Sequence, residues 1–153
     1  MNTHNNFETA AQRERRLMTL LFNQLGIERT EFTEGYTRHD FSLTASTNGE
    51  VMIGEIKVRN TKSSDYNNST FIEEDKVKYL LDHTRGTDKK PGIVFFFSDG
   101  YAYKQMLSHD EVYPTREVRC NKTTMGDQTK IPKRMIDFNI DRTKLIRLEF
   151  NID

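Results

Sequence analysis

The chain is predicted to be an α/β (α+β) protein, a mixed central β-sheet flanked by helices, forming a single domain over residues 1–153. Three observations predict it. Apolar residues recur at three- and four-residue steps over 7–25 and again beyond Thr70, the spacing of half-buried helices. Between those segments apolar and polar residues alternate, the spacing of strands. Finally, Ile93–Phe97 is an unbroken apolar run of strand length, as expected for a strand covered on both faces. The order helix, three strands, helix, strand, strand implies a parallel crossover from the third strand to the fourth.

Each element has its own signal. The first helix, 7–25, carries Ala10, Leu17, Met18, Leu21 and Leu25 along one stripe and stops at Gly26, a residue suited to a left-handed cap. Strands follow near 29–34, 36–45 and 50–59 as an antiparallel meander, with Asn48-Gly49 as turn chemistry. Residues 60–68 are a polar loop whose one large apolar side chain is Tyr66. Thr70-x-x-Glu73 has the form of a capping box and is expected to open a second helix running to about Arg85, with Ile72, Val77, Leu80 and Leu81 buried. Ser98-Asp99-Gly100 turns the fourth strand into a hairpin partner, Tyr101–Leu107. Short strands are expected around 116–122 and 144–150, with Gly126–Lys133 as a loop.

Composition narrows the function classes. The longest apolar run is far too short to span a bilayer, and the N-terminus lacks the basic-then-apolar order of a secretory signal. A lone Cys120 cannot form an internal disulfide, so a reducing cytoplasm is the expected location. The formal net charge is zero, but it is unevenly spread. Residues 113–147 hold nine Lys/Arg against four Asp/Glu, whereas residues 1–112 hold fourteen against seventeen. A basic C-terminal third beside an acidic remainder suits a metal site next to a phosphate backbone, and equally a solvated basic surface. No zinc site is expected from His39 or His83, which lack a second His at ligand spacing. Phosphate-cradling glycine loops are absent. Phe95, Phe96, Phe97, Tyr101 and Tyr103 are read as core residues before base-stacking ones.

The chemistry concentrates on Asp40 and Glu55-Ile56-Lys57. A two-residue period sets Glu55 and Lys57 on one strand face, and an antiparallel neighbour carrying Asp40 would bring a second carboxylate beside them. Two carboxylates hold Mg²⁺ (or Mn²⁺) while leaving it waters, and an ammonium alongside orients or deprotonates the attacking water or offsets phosphate charge. Asp40, Glu55 and the Ile56 carbonyl are the candidate metal ligands. The plain alternative is a surface ion pair between Glu55 and Lys57. Glu14, on the apolar stripe of the first helix, is a further candidate acid, or else a stripe-edge residue meeting a neighbouring Arg.

Gly54 before the acid, apolar Ile53 and Ile56 around it, and Asp40 before Phe41 resemble the motif of the PD-(D/E)XK nuclease superfamily, which includes restriction endonucleases, archaeal Holliday-junction resolvases and RecB-type nucleases. In that resemblance Asp40 stands for the motif's Asp, and Glu55 and Lys57 for its (D/E)XK. The family's αβββαβ core matches residues 7–98. The chain departs from the pattern in one place, since His39 rather than Pro precedes Asp40. The resemblance implies an acid from the first helix, here Glu14, and a polar residue from the second, here Lys76, or Tyr79. It implies a Mg²⁺-dependent deoxyribonuclease, with Lys76, Arg59 and Lys62 among the nucleic-acid contacts and a homodimer if both strands are cut. The alternative is a catalytically inactive module of the same fold that binds nucleic acid or a protein partner.

Overall fold

In a computed structural model of the protein, the described residues are 9–27, 29–32, 41–44, 50–121 and 129–149. Helix α1 (Ala10–Leu25) begins at Thr9, whose hydroxyl accepts from the Gln12 backbone N–H at 3.1 Å while the Thr9 N–H donates to the Gln12 side chain at 2.9 Å. This reciprocal box satisfies two donors of the first turn. Gly26 ends the helix in the left-handed conformation (φ 73°), as its sequence position predicts. Leu17, Met18, Leu21 and Phe22 are buried against the sheet.

That sheet has six strands in the order β1-β2-β3-β5-β6-β9. Strands β1 (Arg29–Phe32), β2 (Phe41–Thr44) and β3 (Val51–Val58) form the expected antiparallel meander. β3 pairs in parallel with β5 (Lys90–Phe96), which pairs antiparallel with β6 (Tyr101–Met106) and through it with β9 (Ile146–Arg147). β5 is buried from Pro91 onward, as a strand covered on both faces must be. Alternation divides the core. Phe41, Met52, Ile56, Val94 and Phe96 pack beneath α1. Ile53, Ile93, Phe95 and Phe97 point to the other face, where helix α2 (Glu74–Thr84) supplies Val77 and Leu80.

The second face differs from expectation. Ser69–Glu73 is not the start of a helix but strand β4, joined with β8 (Lys130–Asn139) and β7 (Thr115–Asn121) in an antiparallel sheet of order β4-β8-β7. Thr70 and Ile72 face Phe138 and Ile136 across the ladder and are buried with them, so tertiary pairing overrides the local capping signal. α2 starts at Glu74 with no side-chain cap. The predicted loop at 126–133 is strand from Lys130 onward, and the predicted strand at 144–150 shortens to Ile146–Arg147 after a 3₁₀ turn at Arg142–Lys144. The Asn48-Gly49 turn lies outside the described residues. Within the 60–68 loop, Asp65–Asn68 makes a turn in which Tyr66, Asn67 and Asn68 all have positive φ (55°, 60° and 57°).

Candidate active site

The site is built around the middle of β3. Gly54 faces Phe41 of β2 on one side and Gly92 of β5 on the other. A Cβ at Gly54 would run into the Gly92 carbonyl oxygen and the Phe41 ring, so the three strands can close here only around a glycine. The next residue, Glu55, points to the α2 face and is 2% exposed. A carboxylate at that depth requires positive charge nearby. Lys76, in the first turns of α2, supplies it, its Nζ standing 3.7 Å from Glu55 Oε1. Lys57 is half-buried two residues along the same face, and among the described residues its ammonium has no ion-pair or hydrogen-bond partner. The Ile56 side chain turns the other way, into the core under α1.

The remaining candidates fall in different places. Asp40, like His39, lies outside the described residues; it immediately precedes Phe41 in the chain. Glu14 is half-buried on α1, the helix that packs on the sheet face opposite Glu55. Lys62 is exposed, and its backbone N–H donates to Asp65 Oδ2 at 2.9 Å, which holds the turn after β3. Arg59 is directed inward: its guanidinium lies 5.4 Å from the Phe71 ring centroid and 5.7 Å from that of Phe95, and it donates to the Phe71 carbonyl oxygen. Burial lowers its pKa from the ordinary arginine value. Arg59 therefore ties the main sheet to β4.

The second sheet borders the site with cations. Arg116 binds Asp137 through two parallel hydrogen bonds, which raise the pKa of its guanidinium above the ordinary value, and that guanidinium lies 5.3 Å from the Phe71 ring centroid. Lys133 reaches Glu73 at 3.2 Å and Arg134 reaches Glu74 at 3.6 Å, so the β8 strand is anchored to the N-terminal end of α2. That Phe71 would gather Arg59 and Arg116 gave no sequence signal, because the three come from the residue after β3, from β4 and from β7. Cys120 is half-buried and free, its Sγ 3.8 Å from the Val118 carbonyl oxygen.

Among the described residues, no three His, Cys, Asp or Glu side chains gather around one point, and no helix is long and apolar enough to cross a membrane. No protein-family model and no curated protein matches the chain. Among solved structures, the chain is similar to Hjc, a Holliday junction resolvase from the archaeal hyperthermophile Archaeoglobus fulgidus. The TM-score is 0.50 at 14% identity, over 64% of this chain and 73% of the other. The likeness is one of fold: the chain shares the mixed-sheet architecture of this resolvase. On this fold Glu55 and Lys57 fall on β3, and Lys76 of the second helix stands against Glu55.

Proposed function

We propose that the chain is a divalent-metal-dependent nuclease that hydrolyses phosphodiester bonds of DNA. The observation that carries the reading is the buried Glu55 carboxylate held against Lys76, with the half-buried Lys57 on the same strand face. The β2–β3 register supports adding Asp40. Phe41 faces Gly54, and were the ladder to continue by one residue it would set position 40 opposite Glu55 and on the same face.

The donors available to a metal are the Glu55 and Asp40 carboxylates and the Ile56 carbonyl. All are oxygens, a set that suits Mg²⁺ or Mn²⁺ before softer ions. The pairing of Glu55 with an ammonium marks a position where negative charge is matched by a cation. When bound, the ion would supply a water made nucleophilic and would offset charge on the phosphate. Lys57 directs its ammonium at that water or at the scissile phosphate. Lys76 holds Glu55 and offers its remaining donors to a phosphate oxygen. Lys62, on the exposed turn, and the basic residues of β7 and β8 bind the backbone on either side.

The test is cleavage of a labelled DNA during Mg²⁺ and Mn²⁺ titration by the native chain, Lys57→Ala and Glu55→Gln, with DNA binding measured in parallel. Metal-dependent cleavage by the native chain alone, with binding kept by the variants, is expected. The catalytic assignment is overturned if all three cleave alike without metal. Binding with no cleavage by the native chain would identify the inactive binding module instead.

A further inference from the structure

Tyr66 is the residue of the candidate site region that packing does not explain. The residue is 67% exposed, and it opens a run of three successive residues with positive φ, none of them glycine. Such a run is unfavourable for side chains with a Cβ and persists only where the surroundings impose it. Here they do. The Ser69 hydroxyl donates to the Tyr66 carbonyl at 2.7 Å, Arg142 donates to Asn68 Oδ1 at 2.9 Å, and the Ile140 N–H donates to the Asn68 carbonyl at 2.8 Å. On the other flank the Ser63 hydroxyl donates to Asp99 Oδ2 at 2.7 Å. Elements from both sheets thus hold a strained turn whose outcome is an aromatic ring presented to solvent.

What surrounds that ring selects its ligand. Tyr66 and Phe71 meet at a steep angle, with centroids 6.4 Å apart and planes at 77°, a contact that covers at most one face of Tyr66 and leaves the other open. Phe71 in turn carries the guanidiniums of Arg59 and Arg116. Arg59 is two residues beyond Lys57, just past the end of the strand that bears the candidate catalytic groups. An open aromatic face on a turn that carries exposed Lys62 and is held by exposed Arg142 suits a nucleobase with its backbone phosphate. A base inside a duplex hides both faces in the stack, so only an unpaired base can lie on Tyr66.

We propose that Tyr66 is a stacking platform for an unpaired nucleobase, and that the preferred substrate is DNA carrying an unpaired nucleotide close to the bond to be cut. The inference rests on the nuclease reading and names the form of DNA that the site takes. Its test is independent of cleavage. Two duplexes of one sequence, with 2-aminopurine either paired or in a one-nucleotide bulge, are titrated in EDTA with the full native chain, Tyr66→Ala and Tyr66→Phe.

The native chain and Tyr66→Phe should quench the bulged probe and prefer it to the paired duplex. Tyr66→Ala should lose the quench and about five- to hundred-fold in affinity for the bulge, with duplex binding unchanged. Circular dichroism confirms that the variants fold. If Tyr66→Ala binds and quenches as the native chain does, the stacking inference is overturned while the nuclease reading stands. If the native chain binds neither DNA, both are overturned.

Discussion

Gly54 occupies a point where three strands meet with no room for a methyl group, since both the Gly92 carbonyl and the Phe41 ring lie in the path of a Cβ. One obstacle is backbone and cannot rotate away. Gly54→Ala should therefore destabilise the fold by about 1–3 kcal/mol, the cost of forcing atoms into a filled core. It should also displace Glu55, the next residue, so a lower melting temperature should come with a disproportionate loss of metal-dependent cleavage. A variant as stable as the native chain would show that the strands part here at little cost. At this scale part was legible. A two-residue period was enough to set Glu55 and Lys57 on one face, whereas Lys76 came only from the family resemblance, and its ammonium stands 3.7 Å from Glu55. Arg59 was not legible. Its position after the motif reads as an exposed cation, and only the rings of Phe71 and Phe95, distant in sequence, draw it inward.

Elements show the same division between local and non-local causes. α1, β3, β5 and β6 announce themselves because each carries its period over several residues and ends at a glycine or a turn. β4 does not. Five residues long, it hides inside a sequence that satisfies a helix-capping pattern, and only pairing with β8 reveals it. β8 did leave a trace, since Ile136, Phe138 and Ile140 alternate, and all three enter the α2-side core. The link between the two sheets is testable through Arg59, which combines a hydrogen bond to the Phe71 carbonyl with contacts to two rings. Arg59→Ala should cost about 2–3 kcal/mol, within the range for a charge-assisted hydrogen bond plus a cation–π contact. Lysine in its place should recover little, because an ammonium cannot reproduce the planar stacking. Thermal unfolding of both variants measures this, and full recovery by lysine would show that charge alone holds the sheets together. Thr9→Ala offers a comparison at the other end of the fold, removing a cap for about 1 kcal/mol without touching the site.

For the molecule as a whole, neutrality conceals polarity. A chain with no net charge has no long-range attraction for DNA, so any affinity must come from cations gathered on one side. The outer ends of β7 and β8 extend past β4, whose pairing with β8 stops at Met135, and they form a two-stranded ribbon. Arg119 and Lys130 lie exposed at that end, with the Arg119 guanidinium donating to the Lys130 carbonyl at 3.0 Å. Both belong to the β7–β8 ribbon rather than to the strand that bears Glu55, so their contribution to DNA binding should be electrostatic. Binding of a duplex in EDTA should weaken steeply with salt, each neutralised phosphate adding about −0.9 to the slope of log affinity against log salt. Arg119→Ala with Lys130→Ala should flatten that slope by about two units and leave cleavage at low salt intact. Anisotropy titrations at four or five salt concentrations read the slope directly. An unchanged slope would remove the ribbon from the interface and leave the phosphate contacts to the turn at 60–68 and the first turns of α2.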